Sequence, residues 1–164
     1  MRRLFFAMLS VLVVAGLAGA VAFASSIHLK GGKNAKPTAT DLGLVLNAVG
    51  DLSGLGNGDV LVTIVAKGNP TATCTNPGNG VHQPPGQNPA EVTLTGSQSI
   101  PASEIKNGNT PFDVTTEAPE TPIPGAPGCP NTSWTEDITD VVFTSYIIIV
   151  VQGADSATFG PFVP

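Results

Sequence analysis

Two cysteines and two histidines are the residues of this chain best suited to metal or nucleophilic chemistry. Cys74 and Cys129 stand 55 residues apart and neither belongs to a Cys-x-x-Cys motif. A zinc centre needs several Cys or His ligands. Once the cysteines pair with each other, His28 and His82 are too few to build one. A Ser-His-Asp arrangement would need His82 with Ser97, Ser99 or Ser103 and one of twelve carboxylates, but no Gly-x-Ser-x-Gly elbow is present. If the mature chain began at Ser26, then Ser26-Ile27-His28 could bind Cu(II) in a square-planar nitrogen site. Glu136-Asp137 with Asp140, and Asp51, Asp59 and Asp155 in turns, raise the question of calcium, but none follows the EF-hand spacing, and they read as solvated turn carboxylates. Asn131-Thr132-Ser133 has the pattern of a glycan acceptor. No cofactor, metal or catalytic residue is therefore expected, and the cysteines read as a structural disulfide. Closing a loop of that length removes about 4 kcal/mol of unfolded-chain entropy by the loop-closure model.

The compartment supports that pairing. Met1-Arg2-Arg3 precedes an apolar run from Leu4 to Phe23, and Ala22-Phe23-Ala24 has the small residues of a cleavage site. Residues 1–24 thus read as a signal peptide of the general secretory route. The run is also about the length that spans a bilayer, so an uncleaved anchor is the competing reading. Exported proteins with two cysteines usually oxidise them. Without Arg2 and Arg3 the chain holds five lysines against twelve carboxylates, a net of −7. Such a surface repels phosphate backbones. Nucleic acid and anionic membranes are poor partners; cations, basic proteins and neutral glycans remain open.

Three of the lysines fall in Lys30-Gly31-Gly32-Lys33-Asn34-Ala35-Lys36-Pro37, and residues 25–40 read as a flexible basic tether. From residue 41 the pattern is β. Leu42, Leu44, Leu46 and Ala48 alternate, and Asp59–Lys67 is rich in β-branched residues. Thr71–Thr75, Ala90–Ser99 and Phe112–Glu117 alternate as well. Ile138–Thr144 reads as a strand with Ile138, Asp140 and Val142 opposed to Thr139, Val141 and Phe143. Tyr146–Val151 is apolar on both faces and predicts a central strand covered on both sides. Ala157–Phe159 makes a final edge strand. With 19 glycines, 15 prolines and no long helical period, the expected fold is an all-β, immunoglobulin-like sandwich of about seven or eight strands over residues 41–164. Trp134 follows both cysteines, so the Cys-Trp-Cys order of antibody domains is absent; a lone Trp beside a disulfide is expected to pack in the core.

The cysteines adjoin the two proline-rich loops, 76–89 and 118–130. Loops on a rigid scaffold commonly carry recognition, which makes Asn76, Asn79, His82, Gln83 and Gln87 the candidate binding residues. Cys74-Thr75-Asn76-Pro77-Gly78 with Pro85-Gly86-Gln87-Asn88-Pro89, and Cys129-Pro130 with Trp134 and Ile138-Thr139-Asp140-Val141, resemble a group of small secreted bacterial proteins without assigned function. The resemblance covers about residues 42–160, implies an exported β domain and transfers no catalytic residue. The sequence thus points to an exported, non-catalytic protein of the cell envelope, matrix or an adhesive surface, with a cell-surface protein or glycan as partner. A secreted glycan-binding module is the alternative, with Trp134 and Tyr146 as its only Trp and Tyr. Self-assembly through an open edge strand is a third reading.

Overall fold

The computed structural model describes residues 26–32, 34–84, 89–124 and 128–164. The signal segment expected over residues 1–24 and the candidate residue Gln87 lie outside them. The described chain forms two antiparallel sheets packed face to face. In the smaller sheet β3 (Leu46–Ser53) is central. Along one edge runs β7 (Thr110–Thr115); the other is shared by β2 (Thr38–Asp41), opposite residues 46–49, and β1 (His28–Leu29), opposite residues 52 and 53. The stretch expected as a flexible tether is thus drawn into this sheet, with Leu29 and Pro37 buried. Pairing with β3 satisfies backbone groups that the polar sequence of this arm gave no reason to place there. The expected alternation from Leu42 starts later. Asp41 accepts the Gly43 amide at 2.9 Å and Gly43 takes φ +85°, making residues 42–45 a turn that leaves Leu42 exposed.

The larger sheet is built on two long strands, β4 (Val60–Thr75) and β9 (Thr135–Gln152), paired along their length. β6 (Val92–Ile100) flanks β4 over residues 60–68, and β10 (Asp155–Phe162) flanks β9 over residues 146–152. At the far end β5 (His82–Gln83) adds to β4, and β8 (Ile123–Pro124) to β9. In β4 every even position from Val60 to Cys74 is buried, as a half-covered pleated strand requires. β9 breaks that rule twice. Opposite Lys67/Gly68 and Thr71/Ala72 the register shifts, leaving Thr144 and Thr139 as inserted residues. Their hydroxyls donate to the carbonyls of Lys67 and Thr71, at 3.2 Å each. The insertion at Thr139 corrects the expected faces: Ile138, Val141 and Phe143 point inward, Asp140 and Val142 outward. The outward face of Tyr146–Val151 is also not covered, since Ile147 and Ile149 are half-buried and Val151 is exposed.

The core lies between β3/β7 and the near halves of β4 and β9. Leu46, Leu52, Val62, Ile64, Phe112, Ile148 and Val150 are essentially inaccessible to water there. The Phe112 ring packs where a Cβ on Gly50, its neighbour across the ladder, would lie 2.8 Å from it. One side of the sandwich closes where β6 meets the end of β7. A Cβ on Gly96 would collide with the Thr115 carbonyl, Glu117 donates its amide to Thr95, and Gln98 Oε1 accepts the Asp113 amide. On the other side Tyr146 donates its hydroxyl to the Pro37 carbonyl, and burial raises its pKa above the ordinary phenol value.

Candidate functional site: the clasped ribbon end

An eight-residue strand spans about half the length of a 16- or 18-residue one. The smaller sheet accordingly ends near Gly43, whose carbonyl accepts the Val141 amide at 3.0 Å. Beyond that point β4 and β9 continue as a two-stranded ribbon of residues 69–75 and 135–140. An isolated two-stranded ribbon is marginal in water, so something must cover its inward face, where Pro70, Ala72, Cys74, Glu136 and Ile138 are buried. The connection from β7 to β9 is placed to do so. It starts at Thr116, whose amide donates to Leu46 O and whose hydroxyl accepts the Leu46 amide. It bonds β6 through Glu117 and reaches β9 at Ile123, opposite Glu136. It thus passes from the β6 edge to the β9 edge as a strap. Cys129 then closes on Cys74 with an S–S distance of 2.06 Å and a Cα–Cα distance of 5.6 Å. The expected disulfide is present, and it ties strap to ribbon rather than one sheet to the other.

A polar chain welds the same end. Thr75 donates its hydroxyl to Asp137 Oδ2 at 3.2 Å and lies 2.9 Å from His82 Nδ1. A hydroxyl has one proton, so His82 supplies the Nδ1–H of that second contact. Thr121 of the strap donates to Asp137 Oδ1 at 3.4 Å and accepts the Ile138 amide at 3.2 Å. Four segments, β5, β4, β9 and the strap, are joined through Asp137.

The candidate loop residues divide. His82 is exposed on β5 and engaged with Thr75; Gln83, opposite Cys74, is half-buried. Asn76 Oδ1 accepts the Gly78 amide at 2.8 Å and Asn79 Oδ1 the Val81 amide at 3.1 Å. Both carbonyl oxygens therefore shape the turn, as Asn does in Asx-turns. Asn79, Pro77 and Gly78 are exposed at its tip. Trp134 is half-buried at the start of β9, neither sealed in the core nor freely displayed. The serines considered with His82 lie elsewhere. Ser97 is opposite Thr63 and its hydroxyl lies 2.9 Å from that of Thr63, whereas His82 is opposite Thr75. That separation along β4 is about 40 Å. Ser103 lies in a 3-10 turn after β6. His28 sits in β1 with Nδ1 2.6 Å from the Ser26 carbonyl. Among the described residues no group of three or more Cys, His, Asp or Glu is placed to hold a metal ion.

Two features were not anticipated. The first is Glu136, expected as a solvated turn carboxylate. It is buried at 2% exposure, and its Oε1 has no hydrogen-bond partner among the described residues. Burial raises its pKa above the ordinary carboxyl value. Its neighbour Asp137 suggested a charged turn; Glu136 instead falls on the buried inward face of β9, opposite Cys74 on β4 and Ile123 of the strap. The second is a groove of about 390 Å³ where the strap leaves β6, floored by Leu94, Pro119 and Ile138 and rimmed by Glu117 and Glu120. Its parts are distant in sequence and no motif joins them.

No protein-family model, no curated protein and no solved structure matches the chain. The disulfide fits an extracellular protein. Among the described residues no helix is long and apolar enough to cross a membrane.

Proposed function

We propose that this chain is an exported, non-catalytic β-sandwich protein that acts by surface interaction, as a component of a cell envelope, matrix or adhesive surface, with the clasped ribbon end as its contact region. The observation that carries this reading is the welding of that end. A disulfide and the chain His82–Thr75–Asp137–Thr121 hold the exposed turn 76–81 and the strap on one rigid ribbon. Rigid presentation lowers the ordering cost of binding. The acidic surface and the basic, apolar leader add the compartment and the exclusion of nucleic acid.

The test is fractionation of bacterial cells producing the full chain. The expected result is an oxidised protein, recovered outside the cytosol and retained on envelope material, with retention lost in Asn79→Ala/His82→Ala. A reduced cytosolic protein, or equal retention of the variant, would overturn the reading. Partial exposure of Trp134 keeps a second reading in play, a glycan-binding module with Trp134 as its stacking face. Under that reading, binding to insoluble wall polysaccharide falls on Trp134→Ala and is indifferent to Asn79→Ala/His82→Ala.

A further inference from the structure

The groove at the root of the strap has the chemistry of a site for a cationic side chain. Its floor is apolar: Leu94 and Ile138 are buried at 8% and 5% exposure, and Pro119 is buried beside them. Its rim carries Glu117 and Glu120, both exposed, and among the described residues neither carboxylate has an ion pair or a side-chain hydrogen bond. The salt bridge present nearby, Lys67 to Glu91 at 3.6 Å, leaves both of them free. Of the other described lysines, Lys30 and Lys106 line a different basin with Asp51 and Glu104, and Lys36 belongs to the N-terminal arm. The groove is therefore an apolar trough about 390 Å³ in volume with uncompensated negative charge along one wall. Lys and Arg side chains match that pattern, because their methylene stems cover apolar surface while the charged head stays at the rim.

The geometry points to this groove as the docking site for a lysine- or arginine-bearing peptide segment of a partner protein. The occupant is a peptide rather than a free polyamine because the floor calls for apolar stems and neighbours as well as charge. The walls are held without the occupant. Thr95 O accepts the Glu117 amide, and Thr116 is bonded to Leu46 through both its amide and its hydroxyl. Neutralising the two glutamates therefore leaves the backbone contacts of the groove in place. The inference deepens the surface-interaction reading and rests on it, adding the groove as a second anchor beside the turn 76–81.

The experiment is an amide-resolved NMR titration of the oxidised full chain, recovered without its leader if cells remove it. The probe is acetyl-Leu-Lys-Leu-Lys-amide, with spermidine and acetyl-Leu-Glu-Leu-Glu-amide as comparison arms. Shifts should concentrate at residues 92–95, 117–120 and Ile138 and shrink at about 0.5 M salt, where exposed charges are screened. Glu117→Gln/Glu120→Gln should weaken binding at least tenfold. Asp51→Asn/Glu104→Gln, which removes the same charge from the other basin, should leave it unchanged. Equal weakening by both pairs would reduce the effect to diffuse attraction by an acidic protein and overturn the site. So would shifts spread over the surface, tight binding of spermidine, or no binding at all. Loss of envelope retention in Asn79→Ala/His82→Ala with a silent groove would sink this inference and leave the wider reading standing. Peptide binding in the groove with a cytosolic, reduced protein would do the opposite.

Discussion

The near half of the larger sheet and its far half are made from the same two strands, yet they are held together by different physics. Over residues 60–68 of β4 and 143–152 of β9, a second sheet covers the inward face, and alternation of Val, Ile and Ala with smaller or polar residues produces a dry core. Over residues 69–75 and 135–140 the cover is a proline-rich strap. Little apolar area is available there: Pro70, Ala72, Cys74 and Ile138, with a carboxyl, Glu136, among them. A covalent clasp and a hydrogen-bonded chain through Asp137 supply what the core cannot. The near half is stable because its residues exclude water. The far half is stable because its segments are tied, which leaves room for a groove, an exposed turn and an unsatisfied acid.

Deleting the Phe112 ring breaks the comparison on the near side. Phe112 is 1% exposed and packs over Gly50. Phe112→Ala should cost about 3–5 kcal/mol, read as a lowered urea midpoint by both far-UV and tryptophan signals. Removing the clasp tests the far side. Cys74→Ser/Cys129→Ser should cost about 4 kcal/mol by loop closure. Hydrogen exchange should show that loss first at residues 69–75 and 135–140, while the amides of Val62, Ile64 and Ile148 keep their protection longest. Uniform loss of protection would mean that the two halves are one cooperative unit. A smaller effect is expected from Gln152, a buried side chain opposite the ribbon end that bonds Gly56 N at 2.6 Å, Gly58 O at 2.6 Å and Gly56 O at 3.2 Å. Gln152→Leu should cost about 1–3 kcal/mol, since it strands backbone groups that the amide satisfies. Its effect should stay at the loop 54–58.

The sequence disclosed the near half better than the far half, for a physical reason. Period-two patterns report which face of a strand is dry, so Asp59–Lys67 was legible, whereas Tyr146–Val151, apolar on both faces, did not reveal that only Tyr146, Ile148 and Val150 are buried. The pairing of Cys74 with Cys129 was legible too, because two cysteines with so few histidines to join them as metal ligands have few other uses. Bulges are not legible in this way. Nothing in Ile138–Thr144 announces that Thr139 and Thr144 are inserted residues, because their role depends on the carbonyls of Thr71 and Lys67 in another strand. The N-terminal arm concealed its strands because edge pairing with β3 uses backbone groups, which every residue carries. The groove depends on where a loop without periodicity travels, and composition cannot supply that path.

The finest test of the comparison is the acid under the strap. Burial disfavours the charged form of Glu136 and raises its pKa in the folded chain. The folded state therefore binds a proton more tightly than the unfolded state does. The stabilisation is full below the ordinary carboxyl value and is lost as pH rises through the folded value. Glu136→Gln keeps the shape and removes the titration. At acidic pH, where Glu136 is protonated in both states, variant and parent should unfold at similar urea concentrations. At neutral pH the variant should be more stable by about 1–3 kcal/mol, the usual cost of an unsatisfied buried polar group. A gap that is constant with pH would assign the effect to packing instead. The clasp gives the decisive cross-check. If the strap is what keeps water from Glu136, then in Cys74→Ser/Cys129→Ser the strap loosens, the carboxylate hydrates, and the pH-dependent advantage of Glu136→Gln should shrink towards zero. Persistence of the full advantage without the disulfide would show that the ribbon buries this acid on its own.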